Sequence, residues 1–497
     1  MSSRPDRADE PASRPRPLEH FRAKTRRRSI HPLERAALGI VAAHLLFLPW
    51  AIGGMQLWTQ LVSAALAAAG FVVALLPRDR RSEEDGATPG RLPMWPRLRA
   101  FPVFWIGLAL LAYVAVQALN PAWIYRSDAA NFWMERSAHH AWLPSGVSAP
   151  FARWNPWRSL LLYGSAWLVV CTVWVAFTRR RTLQLLLIAL AANGVLLAIF
   201  GVAQKLLGNG KLLWSLPSPN LLFYASFVYK NHAAAYLNLA LAVATGLAGW
   251  YYARGKRRHE KSNPAGLFAF FALGIAVSVL ASYARGATLA MLAFLVACAF
   301  AFALHRRAVP AEGRNPLIGV ALLLVFGIFL FTGWRALRSR EALDYLRAGV
   351  TQQDRALEVR GVATTAALEM LAEHRALGVG AGAFRYLFPI HQARHPVLTM
   401  SHGERRYWEH AHNDLVQFPI ELGAAGCALV LLCFCHPLAV LIRHRFWANP
   451  LATGGVLGLL SLLAYAWWDF PFQCPAILVT WCALWPAIAL WVRFEEP

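Results

Sequence analysis

The chain has 497 residues, of which 57% are hydrophobic and only 15% charged, against ~25% charged in soluble domains. That composition excludes an ordinary soluble globular protein. The formal net charge is +23, but the basic residues fall in short clusters between apolar runs, as membrane topology requires, so no nucleic-acid partner is expected.

Residues 1–35 are polar and arginine-rich, with "KTRRRS" at 24–29. The stretch is too long and too polar for the n-region of a cleaved signal peptide and reads as a disordered, basic cytoplasmic tail. From residue 36 to 493 apolar runs near 20 residues recur, the length that crosses a bilayer as a helix. Hydropathy places twelve spans, at roughly 36–54, 57–76, 101–119, 159–178, 182–206, 233–253, 265–283, 287–304, 316–333, 419–442, 451–468 and 475–492. The expected fold is therefore all-α: a polytopic membrane protein with about twelve transmembrane helices. "RDRR" at 78–81, "RRR" at 179–181, "RGKRRHEK" at 254–261, "HRR" at 305–307 and "RHR" at 443–445 all fall on the N-terminal side. Positive residues mark the cytoplasmic side, so both termini are expected there.

The opposite side carries three longer loops, at about 120–158, 207–232 and 334–418. The first is rich in tryptophan and reads as an interfacial aromatic belt or as the wall of a ligand path. The last is the longest and contains "DRALEVRGVATTAALEMLAEHRA" at 354–376, an amphipathic helix ended by Gly378. At helical spacing Leu357, Ala363, Ala367, Leu368 and Leu371 share one face, and Glu358, Glu369 and Glu373 the other. Arg360 falls in the middle of the apolar face, where a guanidinium either snorkels to water or meets an anion at the membrane surface. Six of the seven cysteines lie in apolar runs and Cys474 in a short turn, which indicates no disulfide framework.

No charged residue falls near the middle of a span, unlike ion-coupled transporters. The polar groups collect at the outer mouths instead, which favours chemistry at that surface. Four clusters stand there: "YKNHAAAYL" at 229–237, with Lys230, Asn231 and His232; "SYARGATLA" at 282–290, with Arg285; Arg360 on its helix; and "HAHND" at 410–414, with His410, His412, Asn413 and Asp414, preceded by "LGVGAGAFRYLFP" at 377–389. Arg285 either binds headgroups or binds an anion at the mouth. Two arginines and Lys230 together would clamp a phosphate or pyrophosphate, because the guanidinium fork donates paired hydrogen bonds. The His-x-His pair leaves three readings open: a zinc site with Asp414, a structural helix cap, or a general base titrating near neutral pH.

These four motifs, in this order and on one side, resemble the O-antigen ligase and O-antigen polymerase superfamily of bacterial inner-membrane glycosyltransferases. "YKNHAAAYL" is similar to its Asn-His-x-x-x-Tyr-Leu stretch and "ARGA" to its Ser-Arg-Gly turn, with Ala284 where serine is common. "EVRGVATTAALEMLAEHRALGVGAGAF" resembles its Arg-bearing helix and Gly-Val-Gly turn, and "HAHNDLVQFPIELGAAG" its His-x-His-Asn entry to the next span. The resemblance covers about residues 195–430. It implies an all-helical, C-type glycosyltransferase that moves a glycan from a polyprenyl-pyrophosphate carrier to a hydroxyl of a glycan, lipid A core or protein at the periplasmic face, without metal or other cofactor. In that frame Arg285 and Arg360 hold the pyrophosphate, supported by Lys230. His412 is the base, with His410 second, and Asn231, His232, Asn413 and Asp414 orient substrate. Polymerisation of lipid-linked repeat units remains the alternative within the class. A flippase for the same lipid would keep its flux without His412, and a zinc hydrolase would lose activity to a chelator.

Overall fold

The computed structural model describes residues 30–79, 91–129, 131–220, 222–258, 262–307, 359–401, 404–405 and 407–494. Among these, nine helices are long and apolar enough to cross a membrane and two more apolar helices are shorter. In chain order the apolar helices begin with α1 (Pro32–Trp50), α2 (Leu57–Leu75), α3 (Pro102–Leu119), α4 (Pro156–Ala176), α5 (Arg180–Leu206), α6 (Lys230–Arg258), α7 (Ala265–Ala281) and α8 (Arg285–Arg307). Two helices outside the bundle follow, α9 (359–373) and α10 (Phe384–Gln392). The bundle is completed by α11 (Asp414–Arg443), α12 (Pro450–Tyr465) and α13 (Pro475–Arg493). Eleven of the twelve expected spans are thus helices within a few residues of their expected bounds. The span at 316–333 lies outside the described residues, as do residues 1–29 of the basic tail.

Local chemistry starts these helices where they start. Proline stands in the first turn of α3, α4, α12 and α13, where its missing N–H costs nothing. Asn155, Asn413 and Asn449 cap α4, α11 and α12 by accepting first-turn backbone N–H groups. Glu34 of α1 is fully buried and accepts from the Thr178 and Arg179 backbone N–H groups, the Thr178 and Thr182 hydroxyls and Arg78. It ties the start of α1 to the start of α5.

The arginines gather at this end of the bundle. Arg180 lies 4.2 Å from the Trp491 ring centroid and 5.1 Å from that of Trp250, Arg254 lies over Trp250, and Arg493 lies over Trp174. The start of α1 and the end of α13 therefore lie near each other, at the basic end.

The other end carries a small folded cap. Three strands, β1 (Pro121–Ser127), β2 (Phe132–Arg136) and β3 (Gly146–Ser148), form a sheet in the order β2-β1-β3, with β1 antiparallel to β2 and parallel to β3. The loop expected at 120–158 is thus ordered, and Tyr125 and Val147 share a core with Ala363, Met370, Phe384, Phe388, Trp408 and Ile420. Its tryptophans divide: Trp123 packs against this core, while Trp133 and Trp142 are exposed.

The amphipathic helix differs from expectation in its facing. The buried stripe of α9 is Ala363, Ala366, Ala367 and Met370, and Leu368 is exposed. Small side chains let the helix backbone lie close to the cap core, which rotates the buried face by nearly a quarter turn. Arg360 then sits at the edge of that face, not in its middle; Leu357 and Glu358 lie outside the described residues. The helix ends at 373, and Gly378, with φ +72°, serves a tight backbone contact further on.

That contact joins cap and bundle. Helix α11 is broken at Gly423 (φ 64°, ψ −179°), and the segment 375–380 runs against the break. Val379 and Gly380 donate to the Ile420 and Glu421 carbonyls at 2.9 Å, and Ala424 and Ala425 donate to those of Arg375 and Ala376 at 2.8 and 3.2 Å. Helix α3 closes the junction: Tyr113 donates to the Leu377 and Leu422 carbonyls, and Gln117 to that of Glu421.

Candidate active site

The site lies where the cap meets the bundle, around the connection from α12 to α13, "WWDFPFQ" at 467–473. Asp469 is 2% exposed. Its Oδ2 accepts from Asn231 Nδ2 at 2.5 Å and from the Tyr465 hydroxyl at 2.6 Å, and its Oδ1 accepts from the Phe470 N–H. The next residue, Phe470, is an aromatic pin. Tyr229 stacks on it with centroids 5.3 Å apart, His410 stacks at 4.6 Å, and His232 and His412 meet its edge or face at 5.0 and 4.7 Å. One phenyl ring thus gathers the 229–232 and 410–412 motifs, 178 residues apart in sequence.

The two histidines of the His-x-His pair have different surroundings. His410 is buried, and Gln417 Nε2 approaches its Nδ1 at 3.4 Å. Burial, with Arg385 close by, holds its pKa well below the usual imidazole range. His412 adopts φ +53°, a left-handed conformation uncommon for a side-chain-bearing residue. Its Nδ1 is buried without a hydrogen-bond partner. Burial first and the Arg360 guanidinium second push its pKa down to about 4, against a smaller upward pull from Asp469. His412 is therefore a neutral imidazole at physiological pH with an uncommitted ring nitrogen beside a guanidinium. A strained, underused polar group of this kind is characteristic of functional positions.

Arg360 reaches the Tyr229 hydroxyl and acts electrostatically on His412 and Tyr465. Helix α9, part of the cap, thereby delivers a cation to the mouth of the bundle. Arg285 is the first residue of α8, and Gly286 after it faces the Tyr465 ring that holds Asp469. Lys230 is the first residue of α6, within electrostatic reach of Lys205. Lys205 in turn donates to the Ala281 carbonyl and lies 3.4 Å from the Tyr283 ring centroid.

The other expected site residues hold the framework. Asn231 links Tyr229 to Asp469, and buried His232 meets the Phe470 carbonyl through Nε2. Asn413 caps α11. Asp414 is fully buried, its oxygens accepting from the Phe472 N–H and the Gln473 side chain. Among the described residues no group of three or more His, Cys, Asp or Glu is placed to hold a metal ion.

Four residues of the site carry no motif that the sequence makes legible. Asp469 and Phe470 were passed over because they lie outside the four motifs. Their signal was an acidic residue among aromatics in a short connection on the same side. Glu421, in the "ELG" tail, accepts from the Gly382 and Phe384 N–H groups and from Gln417, and so ties the glycine-rich turn to the residue that meets His410. Arg385, ion-paired with Glu409, was passed over within "GAGAFRY".

Residues 268–431 match the family model described as O-antigen ligase. The match spans about a third of the chain and takes in Arg285, Arg360, His410, His412, Asn413 and Asp414, while the 229–232 motif and Asp469 lie outside it. No curated protein matches the chain. The polytopic helical bundle, the order of the motifs and this match agree, and together they support the resemblance to the O-antigen ligase and polymerase superfamily over residues 268–431.

Proposed function

We propose that the protein transfers a glycan from a polyprenyl-pyrophosphate carrier to a hydroxyl acceptor at the periplasmic face of the bacterial inner membrane, with both termini in the cytoplasm. The observation that carries this reading is the meeting of Arg360, His412 and Asp469 around Phe470 at the mouth opposite the basic end.

In the proposed reaction the neutral His412 imidazole takes the proton of the acceptor hydroxyl as its oxygen attacks the anomeric carbon. The bond from that carbon to the pyrophosphate oxygen breaks, and the carrier leaves as the polyprenyl pyrophosphate. Negative charge builds on the leaving group, and cations fixed in a dry site stabilise it without reorganising. Arg360 and Arg285 fill that role, with Lys230 in support, and attack from the opposite face inverts the anomeric centre.

The position of Arg360 couples the two halves of the reaction. It is the largest electrostatic influence holding the His412 pKa down. A bound pyrophosphate offsets that positive charge, so the imidazole becomes a stronger base once the donor is in place. Asp469 then stabilises the imidazolium that forms.

The same chemistry serves polymerisation when the acceptor is another lipid-linked repeat unit. A reconstituted assay with a polyprenyl-pyrophosphate glycan and separate acceptors (lipid A core, a second lipid-linked unit, a protein) tests the reading. Carrier pyrophosphate release tied to one acceptor supports it; lipid translocation with no covalent product refutes it.

A further inference from the structure

The basic end of the bundle holds a cavity that this reaction does not use. It has a volume of ≈ 440 Å³ and is lined by Arg180, Arg181, Arg254, Arg257, Arg258 and Trp250, with Gln184 beside them. Five arginines line one space, and no carboxylate lines it among the described residues. Arg254, Arg257 and Arg258 stand at i, i+3 and i+4 on α6, so they share one helix face and repel one another. Positive-inside topology accounts for arginines at this end, but not for their convergence on a cavity.

The cavity is also built. Trp250 is 4% exposed and Trp491 fully buried. The Arg180 guanidinium lies against both rings and that of Arg254 against Trp250. Stacking by the flat face fixes a guanidinium in place. Arg254 Nε is buried with no hydrogen-bond partner, a donor that a bound oxygen would satisfy. The 29 residues of α6 run from Lys230 at the candidate active site to Arg258 here, about 43 Å at helical rise, so the two basic sites are separate.

We propose that this cavity is a binding site for a phosphoryl anion, supplied by an anionic lipid headgroup or by a soluble phosphate. At about 30 Å³ per water the space holds more than a single phosphate, which leaves room for a headgroup bearing one. Bound phosphate oxygens would neutralise the arginine cluster and join the start of α5 to the end of α6.

The test uses the full-length protein, stripped of lipid in mild detergent. Native mass spectrometry compares retention of phosphatidylglycerol with that of phosphatidylcholine, and thermal unfolding with and without inorganic phosphate reads the soluble source. The variants are Arg254→Gln/Arg257→Gln/Arg258→Gln and, because Arg257 and Arg258 are exposed and their loss leaves packing intact, Arg257→Gln/Arg258→Gln alone. Lys256→Gln, on the same helix but outside the cavity lining, is the control. Phosphatidylglycerol retained at least tenfold more strongly than phosphatidylcholine, with that preference lost in both arginine variants and kept in the control, supports a lipid source. Stabilisation by phosphate alone, lost in the same variants, supports a soluble one. Equal retention of the two lipids with no effect of phosphate, or unchanged binding in the arginine variants, overturns the proposal.

Discussion

Replacing Gly423 by alanine tests whether the broken helix α11 is what docks the cap on the bundle. Its φ of 64° and ψ of −179° fall in a region open essentially only to glycine, which costs a substituted residue about 1–3 kcal/mol. A Cβ there would also stand 2.4 Å from the Ala376 carbonyl oxygen and 2.5 Å from Gly378 N. These are backbone atoms, so relief requires the 375–380 segment to move. Four backbone hydrogen bonds cross the junction, and losing two of them adds about 2 kcal/mol at ~1 kcal/mol each. The expected destabilisation is about 3–5 kcal/mol. The moving segment also follows α9, which carries Arg360, so turnover per folded molecule should fall as well. Denaturant unfolding in mild detergent, followed by tryptophan fluorescence, reads the first effect and the transfer assay the second. Gly164→Ala in α4 is the control: an added Cβ meets nothing within 4 Å, and alanine there should stabilise by about 0.5–1 kcal/mol. Wild-type stability in Gly423→Ala would refute the docking role of the break.

The charges around His412 predict opposite shifts of the acid limb of the pH–rate profile. Arg360→Gln removes a charge that lowers the His412 pKa; the pKa rises, and the limb moves to higher pH as the maximum rate falls. Asp469→Asn removes a charge that raises it, so the limb moves to lower pH, and profiles shifting together would contradict the assignment. At the basic end, Glu34→Ala strands the donors of Thr178, Arg179, Thr182 and Arg78. It should cost about 3–5 kcal/mol, as breaking a buried ion pair does, while transfer per folded molecule in the same preparation stays near wild type.

The bundle was legible because lipid demands apolar runs of a fixed length, and that demand leaves its mark on sequence over a single window. The mouth was legible where polar residues interrupt those runs, as at 229–232 and 410–414. The facing of α9 was not, since a helical wheel ranks residues by apolarity and so favoured Leu368. The cap selected the small residues Ala363, Ala366 and Ala367. Nor was the part played by Phe470, one phenylalanine among 28, whose position at the meeting of two distant motifs is a property of the tertiary structure. Gly378 illustrates the same limit: its position predicts the end of α9, which instead stops at 373, and its partner, Gly423, lies 45 residues on.

The most direct test of the proposed base compares His412→Ala and His410→Ala in the reconstituted transfer assay, each normalised to folded protein. Loss of a general base costs about 10²–10⁴ in rate. The account predicts a loss of that size for His412→Ala. For His410→Ala, whose ring packs on Phe470 and meets Gln417, it predicts lowered stability and a smaller loss of turnover. Wild-type turnover by His412→Ala would contradict it.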